Sequence, residues 1–445
     1  MNPYFSIKPL PAISFGAGCL VKLTSVAESI GSRLVVITGE GFKARQTSWA
    51  KIEKNLHTAG MQLEYARITA EPTPEVIDDI VASHYQGQPD GVVAIGGGSV
   101  LDAGKALAAM LPAGEKIEQF LEGVGSRKPD GRKLPFVAIP TTAGTGSEAS
   151  ANAVITKPGR TGYKKSLRHP HYVPDFALID PELMLTCPPA LTAACSMDAF
   201  TQLVEGFLST QSSPFTDAIA WSGIEAVQRS LVQAYKNGID LGARTEMAYA
   251  ALCSGIVLAN AGLGVIHGLA PALGSRFSIP HGVVCGTLMG AGNEITLMKL
   301  NELAQADLNY QPFLNKYNRL GRLFSSRRSK GQHEAGGLSL IGVPLTVGFI
   351  SKWYLILATL EKGWWPVDVL ILLGSLLAII YIWRIIEAAY FKPVSVDNET
   401  VTEAPMLILI PVWVLVIANI YFGIDTRLSV SVAQSASHGL FGAGL

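Results

Sequence analysis

A glycine-rich turn at residues 96–99 is the first feature of the sequence whose residue types suggest chemistry. The apolar run GVVAI leads into the segment GGGS, and Asp102 and Lys105 follow at helical spacing. Glycines let the backbone approach a ligand closely, and a helix N-terminus presents free N–H groups to a phosphate. Because the spacing is not the G-x-G-x-x-G of the usual dinucleotide fingerprint, this turn alone indicates a tight loop more often than a phosphate site.

A second loop, at residues 140–148, changes that interpretation. The apolar run PFVAIP ends in the segment PTTAGTGSE, which holds three threonines, a serine and two glycines. The hydroxyl groups can donate to and accept from phosphate, ribose and amide groups. Two such loops, each directly after an apolar run, therefore indicate a site for a phosphate-containing ligand.

The elements that must position these loops follow from the hydrophobic pattern. Runs rich in Val and Ile lie at 34–38, 91–97 and 135–140, and segments with helical spacing lie between them, such as 49–59 and 74–84. Strands that alternate with helices predict a parallel α/β sheet. We place this domain over residues 1–180.

The pattern changes at about residue 181. Long segments such as 216–237 and 244–259 mix Ala, Leu and charged residues at a period near 3.6, as expected of helices that pack on one another. We therefore expect a second, all-helical domain over residues 181–328.

The pair GGGSxxDxxK and PTTAGTGSE resembles the iron-containing alcohol dehydrogenases, over roughly residues 1–325. The resemblance implies a dehydroquinate synthase-like fold, in which a Rossmann-like α/β domain precedes an all-α domain. It also implies an oxidoreductase that transfers a hydride between an alcohol or aldehyde and NAD or NADP. The cofactor-binding residues that it implies are Gly97, Gly98, Ser99, Asp102, Thr141, Thr142, Thr145, Ser147 and Lys164.

The choice between NAD and NADP depends on the residue after the strand at 34–38. The family often has an aspartate there, which would accept from the ribose 2′-hydroxyl, whereas this chain has Gly39 followed by Glu40. Without that carboxylate a 2′-phosphate is not repelled. The sequence therefore admits both cofactors and favours NADP slightly.

The resemblance also implies a divalent metal, which lowers the pKa of the alcohol oxygen before hydride transfer. The family's ligands are an aspartate and a histidine one helical turn apart, followed by two histidines 14 residues apart. Asp198, His267 and His281 match three of these positions and are the implied catalytic and metal-binding residues. Gln202 stands at the fourth position, where its neutral amide is a weaker ligand than imidazole and would contact the metal or a bound water. Iron or zinc suits this set; the alternative is that the site holds no metal.

A further departure from the family is Pro271, four residues after His267. Relatives commonly have a histidine there, which relays the alcohol proton outward, and proline can neither take up nor release a proton. We expect His171 or water to act as the relay instead, or turnover to be impaired.

Residues 336–445 carry most of the apolar excess of a chain that is 49% hydrophobic and 16% charged. Three segments of about 20 residues, at 338–360, 367–386 and 405–424, are long enough to span a bilayer. Basic residues before the first segment and tryptophans near the segment ends favour membrane-spanning helices over buried ones. The positive-inside rule then places residues 1–330 in the cytoplasm.

This region resembles the last helices of a membrane protein from the multisubunit cation/proton antiporters, and of the related membrane proteins of proton-pumping NADH:quinone oxidoreductase. Lys352 lies in an otherwise apolar segment, and an ionisable residue at membrane depth is usually functional. The resemblance implies a proton-relay role for Lys352, with Glu387 as a companion. The alternative is a lysine whose amine extends to the membrane surface.

Three hypotheses for the whole chain remain. The first is a metal-dependent alcohol or aldehyde oxidoreductase, the second is a fragment of a membrane antiporter or respiratory-chain component, and the third is a non-functional gene fusion. The expected partners are a small alcohol or aldehyde, membrane lipid around the C-terminal helices, and further copies of the chain. The zero formal net charge gives no indication of a nucleic-acid partner. The five cysteines are scattered and predict neither a disulfide framework nor a zinc ribbon.

Overall fold

A computed structural model of the chain describes residues 4–40, 42, 49–159, 162–277 and 279–324. The predicted transmembrane segments, together with Lys352 and Glu387, lie outside these residues. Among the described helices, none is by itself long and apolar enough to cross a membrane. Leu241–Ala261 and Val265–Gly274 meet the length and composition criteria when taken as a pair, and they are bent by 106° relative to each other.

The first half of the described chain is built on a six-stranded sheet in which all neighbouring strands are parallel. Its strands are β1 (Ala12–Phe15), β2 (Arg33–Gly39), β3 (Gln62–Ile68), β4 (Gly91–Gly96), β5 (Phe136–Pro140) and β8 (Phe176–Ile179). Their order across the sheet is β1–β8–β5–β4–β2–β3. The remaining strands, β6 (Asn152–Lys157) and β7 (Tyr163–Arg168), form a separate antiparallel hairpin.

Helices cover both faces of this sheet. They are α1 (Leu23–Ile30), α2 (Trp49–Thr58), α3 (Pro74–His84) and α4 (Gly98–Met110). Alternate residues of β4 enter different cores: Val92 and Ala94 pack in the cluster that contains α4, and Val93 and Ile95 in the cluster that contains α1 and α2. A parallel sheet that is buried on both faces needs such nearly continuous apolar strands. The predicted parallel α/β architecture is confirmed.

The second half of the described chain is helical. Its helices are α5 (Pro189–Leu208), α6 (Pro214–Lys236), α7 (Leu241–Ala261), α8 (Val265–Phe277), α9 (His281–Ala306) and α10 (Gln311–Phe324). Residues such as Leu203, Val227 and Met247 bury one shared core between α5, α6 and α7. Helix α6 begins at a capping box, in which Ser213 and Thr216 satisfy each other's backbone N–H groups. The predicted helical domain is confirmed.

Short 3₁₀ turns connect several of these elements, at Cys19–Lys22, Tyr85–Gly87, Ile117–Phe120, Ser147–Ala149, Pro170–Tyr172, Pro181–Met184 and Leu308–Tyr310. The apolar runs identified β2, β4 and β5 but not the other strands of the sheet. β1 and β8 are four residues long, and β3 is an edge strand with a largely polar face. Neither kind of strand has the continuous apolar run that identifies a central parallel strand.

Candidate metal centre and nucleotide cleft

The two glycine- and threonine-rich loops lie side by side at the carboxyl ends of two neighbouring central strands. β4 and β5 are parallel neighbours, and Gly96 at the end of β4 pairs with Pro140 at the end of β5. A Cβ atom added to Gly98 would lie 2.5 Å from Cγ2 of Thr145. The loops are therefore in direct contact, and the contact depends on the absence of a side chain at position 98.

Buried polar groups behind the loops hold them together. Asp102 Oδ1 accepts from the Ser147 hydroxyl at 2.6 Å, and Asp102 Oδ2 accepts from the Val154 N–H at 3.0 Å. Lys105 Nζ donates to the Ser147 hydroxyl and carbonyl oxygens, both at 2.9 Å, and to the Asn152 carbonyl oxygen at 2.7 Å. Burial raises the pKa of Asp102 and lowers that of Lys105 to about 8. Asp102 and Ser147 therefore use these hydrogen bonds to fasten one loop to the other.

A single cleft of about 1400 Å³ runs along both loops. All nine residues that the resemblance implied for cofactor binding line it: Gly97, Gly98, Ser99, Asp102, Thr141, Thr142, Thr145, Ser147 and Lys164. Lys164 reaches the cleft from β7, and its Nζ lies 2.5 Å from Glu71 Oε1. Gly39 and Glu40, which bear on the choice between NAD and NADP, line the same cleft.

The predicted metal ligands come together at the other side of this cleft. Asp198 lies in α5, His267 near the start of α8, and His281 is the first residue of α9. Asp198 Oδ1 is 3.2 Å from His267 Nε2 and 3.6 Å from His281 Nε2. Burial alone would raise the pKa of the Asp198 carboxyl, but the two histidines lower it. A carboxylate and two imidazole nitrogens therefore converge on one small volume.

Glu205 fixes the orientation of His267, and sequence reasoning did not identify it. Its Oε2 lies 2.6 Å from His267 Nδ1, and its Oε1 accepts from the Ile266 N–H at 2.7 Å. Burial would lower the pKa of His267, but the hydrogen bonds to Asp198, Cys285 and Glu205 outweigh it and raise the pKa to about 11. A carboxylate on the far nitrogen of a histidine is the usual partner of a metal-binding imidazole. Its sequence signal is its place on α5, seven residues after Asp198.

Cys285 also lies in this cluster, and sequence reasoning did not identify it either. The thiol is on α9, one helical turn after His281, and the ligand atoms of Asp198, His267, His281 and Cys285 all lie within 4.8 Å of one another. Burial raises the pKa of the thiol. Its four-residue spacing from His281 was the signal available in the sequence.

Two buried polar atoms beside the cluster have no hydrogen-bond partner among the described residues: Gln202 Oε1 and His281 Nδ1. Gln202 is 3% exposed, and its side chain forms a hydrogen bond with Asp198. Such orphaned atoms are rare in folded proteins and indicate a water or ion that completes the site. This set of donors fits a divalent metal, because carboxylate, imidazole and thiolate groups are all zinc ligands and imidazole and carboxylate also bind iron.

The two residues considered for proton relay lie in different places. Pro271 is inside α8 and lines the cleft. His171 is in the 3₁₀ turn Pro170–Tyr172, where its ring packs against His169 with the centroids 4.9 Å apart. It lines a separate depression of the surface together with Gly131 and Arg132. The structure therefore does not bring His171 to the metal cluster.

Two family models match the chain: "Iron-containing alcohol dehydrogenase" over residues 11–181, and "Fe-containing alcohol dehydrogenase family, C-terminal" over residues 192–317. The chain is 36% identical to alcohol dehydrogenase 4 of Schizosaccharomyces pombe over 277 residues, which are 62% of this chain and 64% of that protein. It is also 36% identical to alcohol dehydrogenase 4 of Saccharomyces cerevisiae over 284 residues, 63% of this chain and 73% of that protein. The chain thus spans somewhat under two thirds of the first relative and somewhat more of the second.

Solved structures give the same result. The alcohol dehydrogenase from Oenococcus oeni superposes with a TM-score of 0.62 at 28% identity, over 72% of this chain and 86% of that one. The residues that the two family models match include both loops of the cleft. They also include Asp198, His267, His281 and Cys285. An NAD-dependent methanol dehydrogenase of Bacillus methanolicus and an NADPH-dependent butanol dehydrogenase of Clostridium saccharobutylicum are also among the relatives, at 33% and 34% identity. The chain belongs to the iron-containing alcohol dehydrogenase family.

Proposed function

We propose that this chain transfers a hydride between a small alcohol or aldehyde and NAD(P), with the reacting carbon held between the two sides of the cleft. One observation carries the proposal: the loops at 96–99 and 140–148 and the cluster around Asp198 line a single cleft of about 1400 Å³. A hydride donor and its acceptor must lie in contact, and a shared cleft allows this.

Each side of the cleft has its own task. When bound, a divalent metal lowers the pKa of the alcohol hydroxyl or polarises the aldehyde carbonyl, and the nicotinamide exchanges the hydride. Asp198, His267 and His281 would hold that metal, and Glu205 orients His267. Because Pro271 cannot exchange a proton, the proton of the alcohol leaves to water in the cleft.

The experiment that tests this proposal uses the full chain loaded with zinc or iron. NAD(P)H absorbance is followed with short alcohols and aldehydes, and nucleotide binding is measured separately. We expect activity that is lost in Asp198→Ala and His267→Ala while nucleotide binding persists. A chain that binds neither NAD nor NADP would contradict the proposal.

The choice of cofactor rests on Gly39, which lines the cleft where a carboxylate could meet the ribose. We propose that the chain accepts NADP as well as NAD. Gly39→Asp should then weaken NADP binding selectively, because the new carboxylate repels a 2′-phosphate. Equal effects on NAD and NADP would contradict this assignment.

For residues 336–445 we propose about three membrane spans that anchor the dehydrogenase part at the cytoplasmic face, in contact with lipid. The support is the three apolar segments of spanning length and the basic residues before them. The full chain should remain with the membrane fraction after alkaline extraction, and its release would contradict the proposal.

The proton-transport alternative rests on Lys352 and Glu387 in that region. It predicts proton movement across vesicles that contain the full chain, abolished by Lys352→Ala. If vesicles show no such movement, membrane anchoring is the role that remains for residues 336–445.

Sedimentation of the full chain tests the further proposal of a homo-oligomer.

A further inference from the structure

Cys285 is buried, but its sulfur contacts two histidines, which a cysteine that only packs in a hydrophobic core would not do. Its Sγ lies 3.6 Å from His267 Nε2 and 3.6 Å from His281 Nε2. One sulfur therefore faces two imidazole nitrogens at the same distance. Both nitrogens also face Asp198 Oδ1, at 3.2 and 3.6 Å. The four atoms thus surround one point.

We propose that Cys285 is the fourth protein ligand of the metal, so that this chain binds the ion through one carboxylate, two imidazoles and one thiolate and prefers zinc to iron. The proposal rests on the proposed function, because it concerns the same metal site. It assigns to Cys285 the place that a histidine at position 202 would hold in the family.

The spacing of the four atoms fits a metal with this ligand set. Bonds of about 2.0 to 2.3 Å in a tetrahedron place neighbouring ligand atoms about 3.3 to 3.8 Å apart. Four of the six separations, those of Cys285 Sγ and Asp198 Oδ1 from the two histidine nitrogens, run from 3.2 to 3.6 Å. The remaining two lie within 4.8 Å, so the four side chains are close enough to share one ion.

The helical positions explain how the thiol reaches this point. His281 and Cys285 are one turn apart on α9, so both side chains project from the same face. Cys285 is fully buried beside Ile266 and Ala270 of α8, which carries His267. The side chain of His281 is 27% exposed, which leaves an approach from the cleft for a substrate oxygen as an additional ligand.

The chemistry of the donors decides the metal preference. Gln202 offers a neutral amide, one of whose hydrogen bonds goes to Asp198, and is a weak ligand. A thiolate adds a second negative charge and a soft donor, and soft donors select zinc over the harder divalent ions. Zinc also exceeds iron(II) in the general order of divalent affinities. Binding of the metal would release the thiol proton to solvent.

Cobalt(II) tests the proposal, because a thiolate bound to cobalt gives a sulfur-to-metal charge-transfer band that nitrogen and oxygen ligands do not give. The full chain, loaded with cobalt, should show this band, and Cys285→Ala should lose it. Cys253→Ala is the matched control, since Cys253 is a buried cysteine of the helical core, and it should keep the band. Cys285→Ser keeps the shape of the side chain and should also lose the band, so that the loss cannot be attributed to the cavity that alanine leaves.

Zinc and iron(II) affinities give a second readout. Cys285→Ala should weaken zinc binding by at least about tenfold, the lower bound for loss of even an outer-shell partner, and should weaken iron binding less. A cobalt-loaded chain without the sulfur band, or a band that persists in Cys285→Ala, would overturn the proposal and leave the proposed function intact. A chain that binds none of the three metals would overturn both.

Discussion

The nucleotide loops and the metal cluster share one cleft but are built in different ways. The loops satisfy their buried polar groups internally: Asp102, Lys105 and Ser147 bond to one another and to backbone carbonyl and N–H groups. The metal cluster instead brings potential metal ligands together, with Asp198 and Cys285 both facing the two histidines. Two buried atoms beside it lack partners among the described residues.

This difference indicates whether the nucleotide loops or the metal cluster depends more on a bound ligand for its stability. A network in which every buried group is paired is rigid on its own, so the loops should keep their shape without a nucleotide. The cluster brings a carboxylate, two imidazoles and a thiol together in one small volume, and a metal that binds these groups only in the folded chain would stabilise it. Mutations on one side should therefore leave the other side's ligand in place.

The largest expected effect comes from Asp198→Asn. It removes the buried charge that faces both histidines, and metal catalysis is worth several kcal/mol of transition-state stabilisation, so activity should fall roughly 100- to 1000-fold. Metal content, measured by atomic emission, should fall with it. Nucleotide affinity should stay within about twofold, less than 0.5 kcal/mol. A parallel loss of nucleotide affinity would show that the two sides are not independent.

Glu205→Gln should have the next largest effect. Loss of the charged partner of a metal-binding histidine typically weakens metal affinity about 10- to 100-fold. Zinc affinity measured by competition with a chelating dye checks this. Glu246→Gln is the control, because Glu246 forms a surface ion pair with Arg229 at 2.6 Å, away from the cluster. If the two substitutions change zinc affinity equally, Glu205 has no specific role in metal binding.

Gly98→Ala tests the contact between the loops. The added Cβ would lie 2.5 Å from Thr145 Cγ2, and overpacking of this kind typically costs about 1 to 3 kcal/mol. Nucleotide affinity, measured by calorimetry, should fall about 5- to 150-fold while metal content is unchanged. Gly290→Ala, where an added Cβ meets nothing within 4 Å, should have no effect. Thr145→Ser removes the contacting methyl group and should restore part of the affinity in the double variant.

Glu148→Gln should have the smallest effect, on the pH dependence of stability. Burial raises the pKa of the Glu148 carboxyl from 4.5 to about 7, against opposing interactions with its own backbone and with Lys105. The folded chain therefore holds this proton more tightly than the unfolded chain does. Its contribution to stability is complete below pH 4.5 and is lost as the pH rises through about 7. Urea midpoints at pH 5 and pH 8 should differ less in Glu148→Gln than in the parent chain. An unchanged difference would show that Glu148 titrates normally.

Much of the fold was predictable because its signals are local. The apolar runs of β2, β4 and β5 and the helical spacing of α3 and α6 are carried by consecutive residues. β1 and β8, at four residues each, were not identified, because a short strand is stabilised by its neighbours in the sheet more than by its own composition. The predicted spans of residues 336–445 remain predictions.

The sequence by itself determined the two loops, since each is a contiguous motif after an apolar strand, and resemblance to a family assigned Asp198, His267 and His281. Only the tertiary structure decided that Glu205 orients His267 and that Cys285 faces both histidines. The physical reason is that α5, α8 and α9 each carry part of the metal cluster. Helical periodicity shows which residues share a face of one helix, but packing decides which faces of three helices meet.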